Sequence, residues 1–151
     1  MLADASTGER LVMADQRGLV RADLVDLLTR AQRALARDLG TVLEEEGVTV
    51  DQWRVLRELS TGGRTMGDLA MAVEIPHPTL TRLVDALVDS AFLYRSQSPT
   101  DRRKVAVHVS DPGRAKLDRL EALAAAHEQA LSTRLGTDTV THLATLLRTL
   151  P

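Results

Sequence analysis

The stretch HPTLTRLVDALVDSAFLYRSQSPTDRRKVAVHV, residues 77–109, contains two structural periods, first that of a helix and then that of strands. In its first half, apolar residues recur at steps of three and four, which predicts a helix with one buried face. The apolar positions are Leu80, Leu83, Val84, Leu87 and Val88. Pro78 suits the first position of this helix, where its missing N–H costs nothing, and we place His77 at the cap. The opposite face is polar and contains Thr79, Thr81, Arg82, Asp85 and Asp89.

After Ser90 the pattern changes to that of β-strands. Residues 92–95 are aromatic and apolar, residues 105–109 alternate with valine on one side, and residues 98–101 have turn chemistry. We therefore predict a hairpin over residues 92–109, with a basic tip. Between residues 92 and 104 the basic residues are Arg95, Arg102, Arg103 and Lys104, against the single acid Asp101.

Two short capped helices are predicted upstream of this stretch. Residues 49–52, TVDQ, form a capping box, and residues 65–68, TMGD, repeat the pattern with aspartate three residues after the threonine. Residues 61–63, TGG, form a turn between them, and the two prolines of residues 75–78, IPHP, end the second helix before the next one begins. This order of elements indicates a winged helix-turn-helix, whose second helix lies in the major groove of DNA.

The polar face of the helix that begins near His77 suits contact with DNA. A helix N-terminus offers free N–H groups and a positive dipole to phosphate, threonine hydroxyls can donate and accept, and arginine can pair with guanine. An arginine at a hairpin tip can enter the narrow minor groove. The candidate DNA contacts are His77, Thr79, Thr81, Arg82, Arg95, Arg102, Arg103 and Lys104.

Each of these assignments has a structural alternative. Arg82 could pair with Asp85 or Asp89 on its own helix. Thr79 could serve only to satisfy the helix start, and the basic run at residues 102–104 could be an ordinary solvated turn. Trp53 is interpreted as a core residue, with the lining of a ligand pocket as its alternative.

Helical stripes flank the winged segment on both sides. Residues 20–43 and 114–135 have the helical period, and a last helix begins at residue 137 or 138. In that last helix we place five residues inside: Val140, Leu143, Ala144, Leu147 and Leu150. Stripes that so short a chain cannot cover predict a homodimer. Residues 1–17 show no clear period and are interpreted as a tail or a short first helix.

We therefore expect a mostly α fold with a small β-wing, organised in three parts. Residues 1–46 would be an N-terminal tail and dimerisation helix, and residues 47–110 a winged helix-turn-helix domain that binds DNA. Residues 111–151 would be C-terminal dimerisation helices.

Composition excludes several other functions. The chain has 151 residues and no cysteine, which excludes disulfides, cysteine zinc sites and thiolate catalysis. Its four histidines lack the spacing of metal ligands, and no phosphate loop or nucleophile elbow is present. We therefore predict no enzymatic activity, no cofactor and no metal. With no signal segment and no apolar run of about 20 residues, we expect a cytoplasmic protein without a membrane partner. The net charge of −2 does not argue against DNA, since a local basic patch suffices.

Several motifs together resemble the MarR family of bacterial transcription regulators. The most specific are SPTDRRK at residues 98–104 and VSDPGR at residues 109–114. Similar segments are TVDQWRVL at residues 49–56, DLA at residues 68–70 and TLTRLV at residues 79–84. The resemblance extends from about residue 24 to the C-terminus.

This resemblance implies a dimer that binds pseudo-palindromic DNA, usually represses a nearby gene, and responds to a small anionic or phenolic effector. The effector would bind between the dimerisation helices and the DNA-binding domain. Asp101 and Arg103 would brace the wing, and Arg102 or Arg103 would contact the minor groove. Ala91 replaces the usual glycine before the first wing strand, and residues 110–113, SDPG, replace the commoner start of the next helix.

One alternative function belongs to another class. The chain could be a helical protein-interaction module that uses a degenerate winged helix to bind protein. Salt-insensitive association with a protein partner, without DNA binding, would favour that interpretation.

Overall fold

The computed structural model describes residues 23–150. Its elements are α1 (Asp23–Glu44), α2 (Val50–Leu59), β1 (Arg64–Thr65), α3 (Met66–Val73), α4 (His77–Asp89), β2 (Leu93–Gln97), β3 (Val105–Val109), α5 (Asp111–Leu135) and α6 (Thr137–Leu147). The predicted mostly α fold with a small β-wing is confirmed. Strand β1 was not predicted, because two residues beside a turn give no periodic signal. Residues 1–17, interpreted as a tail or first helix, lie outside the described residues.

The chain divides into two compact units between Asp38 and Leu39, within α1. In the first unit, the described residues form helix and expose Leu24, Val25 and Leu27. The second unit contains α2 to α6 and the core described below. Our division at residues 46 and 110 concerns function and stays a prediction.

Side-chain caps explain where α2 and α3 begin. The Thr49 hydroxyl accepts from the backbone N–H of Gln52 at 3.2 Å, and the Gln52 carboxamide accepts from the Thr49 N–H at 3.0 Å. The predicted capping box is therefore present. At α3 the Thr65 hydroxyl accepts from the Asp68 N–H at 3.2 Å and donates to its carboxylate at 2.7 Å. A cap of this kind contributes about 1 kcal/mol to stability.

The three strands form an antiparallel sheet in the order β1-β3-β2. Leu93 pairs with Val109 at the base of the hairpin, and Gln97 pairs with Val105 near the tip. The predicted valine alternation holds at Val107 and Val109, which are buried, but Val105 is 52% exposed. Val105 is the residue of β3 nearest the tip, and it is not part of the buried core.

The apolar core joins the helices to the sheet. Helix α4 contributes Leu80, Val84 and Leu87, all buried, as its stripe predicts. Burying a side chain of this size stabilises the fold by about 1.5–3 kcal/mol. The remaining fully buried large side chains come from other elements: Leu43, Val55, Leu56, Leu59, Leu69, Val107 and Leu120.

Helix α6 differs from the prediction. Val140 and Ala144 are half-buried, but Leu143, Leu147 and Leu150 are exposed in the single chain, Leu150 by 68%. The placement of all five inside was therefore wrong, because an amphipathic stripe indicates that a face is covered but not by which chain. In the described part of the chain, no helix is long and apolar enough to cross a membrane.

Candidate nucleic-acid interface

Helix α4 begins one residue earlier than the sequence indicated. Pro76 is the N-cap, with the extended backbone typical of that position (φ −54°, ψ 138°), so His77 and Pro78 are the first two helical residues. The placement of His77 at the cap and Pro78 first was therefore wrong. Within residues 23–150 no side chain caps this helix, so the N–H groups of its first turn have no side-chain acceptor there.

Three residues form an exposed ridge along α4. Thr79, Arg82 and Ala86 are all exposed, and their spacing places them on one side of the helix. Among residues 23–150, neither Thr79 nor Arg82 has a side-chain hydrogen bond or ion pair. Arg82 does not form the pair with Asp85 or Asp89 that was its alternative, and both side chains are free to meet a ligand.

Thr81 has a more restricted chemistry than Thr79. It is half-buried, and its hydroxyl donates to the His77 carbonyl at 2.9 Å. Since the hydroxyl proton is used within the helix, Thr81 can offer an external partner an acceptor lone pair and a methyl group.

Arg95, the candidate contact on β2, has a partner within the protein. Its Nη2 lies 2.5 Å from Oδ1 of Asp85 on α4. Both side chains are partly exposed, 37% for Arg95 and 53% for Asp85. The pair connects the first wing strand to α4 and occupies the Asp85 carboxylate, which lies one turn from Arg82 on the helix.

The wing turn is closed by main-chain bonds. The Ser98 N–H donates to the Lys104 carbonyl at 2.8 Å, and the Lys104 N–H donates to the Asp101 carbonyl at 3.0 Å. The Asp101 carboxylate accepts from the backbone N–H of Arg103 at 3.0 Å. In residues 23–150 the Arg103 guanidinium forms no ion pair with that carboxylate. The Asp101 carboxylate therefore bonds to the backbone of Arg103, and a bracing role for the two residues stays a prediction.

The tip of the wing is a cluster of free cations. Arg102, Arg103 and Lys104 are all exposed, and none has an ion pair with another described residue. Three unneutralised charges on one tight turn produce a local positive potential in a chain of net charge −2.

The base of the wing is bonded to the start of α5. Ala91 keeps a left-handed backbone (φ +60°), the conformation for which glycine is suited. Ser110 donates through its hydroxyl to the Ala91 carbonyl at 2.6 Å and through its N–H to the Phe92 carbonyl at 3.0 Å. The same hydroxyl accepts from the Gly113 N–H at 3.1 Å and so caps α5. In the SDPG segment Ser110 alone therefore both caps α5 and bonds this helix to the base of the wing.

Trp53 connects α2 to α5. It is half-buried, its Nε1–H donates to the Glu121 carboxylate at 2.9 Å, and the Arg57 guanidinium lies 5.2 Å from its ring centroid. An open depression between α2 and α3 is lined by Arg54, Arg57 and neighbouring residues, and Trp53 does not line it. A ligand that bonded to the Trp53 N–H would have to displace Glu121.

Sequence reasoning missed a charged cluster at the end of α1. Glu46 accepts from Lys116 at 2.7 Å and from Arg119 at 3.2 Å. These hydrogen bonds, first that of Lys116 and then that of Arg119, lower the pKa of Glu46 below its usual value. The Lys116 ammonium also lies 5.5 Å from the Phe92 ring centroid. A separation of 70 residues leaves no local signal for such a contact.

A winged helix with a polar exposed recognition helix and a basic wing defines a class of DNA-binding transcription regulators. Residues 46–104 match the MarR family. The chain is 30% identical over 121 residues to a putative transcriptional regulatory protein for the hcr operon of Thauera aromatica, covering 79% of this chain and 73% of that protein. The chain therefore belongs to the MarR family of transcriptional regulators.

Solved structures agree with this assignment. The transcriptional repressor CouR, solved bound to a 23-mer DNA duplex, is 32% identical with a TM-score of 0.79, over 84% of this chain and 91% of that one. A second similar structure is BpsR of Bordetella bronchiseptica, whose DNA binding is regulated by 6-hydroxynicotinic acid. It is 26% identical with a TM-score of 0.75, over 84% of this chain and 91% of that one.

Proposed function

We propose that this regulator binds an operator in double-stranded DNA, with α4 in the major groove and the wing tip in the adjacent minor groove. The observation that carries the proposal is that Arg82, Arg102, Arg103 and Lys104 are exposed and unpaired among the described residues. Cations without internal partners can neutralise phosphates and release counterions at no cost in broken ion pairs. His77, Thr79 and Thr81 would add contacts from the start of α4.

We further propose that the active form is a homodimer. Leu143 and Leu147 of α6, Leu150 just after it, and Leu24 and Leu27 of the first unit expose apolar surface that a second copy would bury. A two-fold dimer presents two recognition helices, so the operator would be pseudo-palindromic with half-sites about 34–36 Å apart.

We propose in addition that the chain represses transcription and that a small anionic or phenolic effector relieves this repression. CouR is a repressor and BpsR has its DNA binding regulated by a small carboxylate, which supports the same pair of properties here. The bonds from Ser110 to Ala91 and Phe92 give a physical route from α5 to the wing. An effector that prefers a conformation with differently placed DNA-binding domains would weaken DNA binding by its difference in affinity. The cluster around Trp53 is one place where such a ligand could act.

Selection from fragmented genomic DNA across a series of salt concentrations tests the proposal. We expect recovery of a pseudo-palindrome, with an affinity that falls steeply as salt rises. Light scattering on the same sample should show a dimer at micromolar concentration. Failure to retain any fragment at low salt would contradict DNA binding, and salt-insensitive capture of a protein partner would then favour the interaction-module alternative.

A further inference from the structure

We infer that each recognition helix reads a guanine flanked within two base pairs by thymine, using the ridge Thr79, Arg82 and Ala86. This inference rests on the proposed function and adds the base composition of the half-site. Thr79 and Arg82 lie in the first two turns of α4, the part of a recognition helix that meets base edges, and Ala86 follows one turn later on the same side.

Arg82 specifies the guanine. It is exposed, unpaired among the described residues, and central in the ridge. A free guanidinium presents two parallel donors, which match the O6 and N7 acceptors of guanine in the major groove. No other arginine or lysine lies on α4, so one guanine per half-site is expected from this helix.

The neighbours of Arg82 present methyl groups. Thr79 has a methyl and an unengaged hydroxyl, and Ala86 has a methyl alone. Small apolar groups in the major groove favour the 5-methyl of thymine. Residues 79 and 86 lie about 4.5 and 6 Å along the axis from residue 82, at about 1.5 Å per residue. Since successive bases are about 3.4 Å apart, each methyl reaches one or two base pairs from the guanine.

The acidic residues of α4 are not expected to add a preference for cytosine beside the guanine and thymine. A free aspartate in the groove accepts a hydrogen bond from the amino group of cytosine. Asp85 is instead held by Arg95, and Asp89 is the last residue of the helix. The ridge itself therefore presents a donor for guanine and methyl groups for thymine, and no free carboxylate of α4 lies beside Arg82.

Two experiments on the full-length protein test the inference. In the first, sequences selected by the native protein and by Arg82→Ala are compared. We expect a guanine in each native half-site that becomes degenerate in the variant, with discrimination lowered about tenfold or more. A native site without guanine, or an unchanged preference in Arg82→Ala, would overturn the assignment of Arg82.

In the second, each thymine within two base pairs of that guanine is replaced by deoxyuridine, which removes only the methyl group. Loss of a buried methyl should weaken binding about fourfold per contact. Thr79→Ser removes the protein methyl and keeps the hydroxyl, so this variant should no longer respond to the substitution at its contact. Deoxyuridine placed outside both half-sites is the control. Equal affinity for the thymine and deoxyuridine operators would overturn the inference, whereas absence of any salt-dependent DNA binding would defeat the proposed function itself.

Discussion

The guanidinium of Arg95 lies 2.5 Å from the carboxylate of Asp85, so the first strand of the wing is tied to the recognition helix by an ion pair. An exposed pair contributes at most about 1 kcal/mol to folding. We expect a consequence for DNA binding as well, because the pair would keep an uncompensated carboxylate out of a groove lined by phosphates.

We expect Arg95→Ala to weaken DNA binding and the further change Asp85→Ala to restore part of the loss. Asp85→Ala should strengthen binding more in the Arg95→Ala background than in the native protein, with a coupling of about 1 kcal/mol. Titration of the native protein, the two single variants and the double variant onto one operator measures this coupling. If Asp85→Ala had the same effect in both backgrounds, Arg95 would be a plain phosphate contact and its pairing irrelevant to binding.

The wing tip supplies a second prediction. Arg102→Ala together with Arg103→Ala removes two free cations from each wing, four in a dimer. We expect weaker binding to every sequence, and a slope of log affinity against log salt shallower by about two to four. Arg30→Ala with Arg33→Ala is the matched control, since both arginines are exposed and the charge change is the same, and light scattering checks that this variant is as dimeric as the native protein. An identical slope for the wing variant and the native protein would remove the wing from the contact surface.

Local patterns in the sequence were sufficient to predict most of the fold. The capping residues Thr49 and Thr65 and the stripe through Leu80 and Leu87 each depend on neighbours within one or two turns. For the same reason the hairpin was predicted from alternation near Val107. Such short-range physics does not depend on the rest of the chain.

Contacts between distant residues could not be predicted in this way. Nothing near Arg95 indicates that Asp85 holds it, and nothing near Glu46 indicates Lys116 and Arg119. The exposure of Leu143 and Leu147 on α6 could not be predicted either, because an amphipathic stripe does not identify what covers its apolar face. The sequence therefore predicted which residue types lie on the polar face of α4 and at the wing tip. Only the structure showed that Asp85 pairs with Arg95 and leaves Arg82 unpaired among the described residues.

Gly113 should be among the positions least tolerant of a side chain. A Cβ at this position would overlap the carbonyl oxygen of Phe92, a backbone atom at the base of the wing. We expect Gly113→Ala to destabilise the fold by about 2 kcal/mol or more, in the range of severe overpacking. Gly67→Ala is the matched control, because a Cβ there meets nothing within 4 Å, and helix propensity should stabilise it by up to about 1 kcal/mol. Urea unfolding of both variants distinguishes the cases, and equal stabilities would contradict the close approach.

Ala91 offers a substitution expected to stabilise the protein. A left-handed alanine costs about 1–2 kcal/mol relative to glycine, partly offset by the greater entropy of glycine in the unfolded chain. We therefore expect Ala91→Gly to raise the free energy of unfolding by about 0.5–1 kcal/mol in urea denaturation. Ala125→Gly, at an exposed position inside α5, should instead lower it by about 1 kcal/mol. Destabilisation by Ala91→Gly would show that the native backbone at this corner is not left-handed.

Glu46 makes stability depend on pH in the acid range. Lys116 and Arg119 hold its pKa below the usual 4.5, so the charged form is favoured in the folded state. Its contribution is therefore fully present above pH 4.5 and is lost as the pH falls through the lower pKa of the folded state. Glu46→Gln should be less stable than the native protein near neutral pH, and the difference should shrink below pH 4.5. Glu45→Gln, at an exposed position without an ion pair among the described residues, is the control and should follow the native curve. A constant gap between Glu46→Gln and the native protein at every pH would mean that the carboxylate charge does not contribute to stability, and that the side chain acts only through packing.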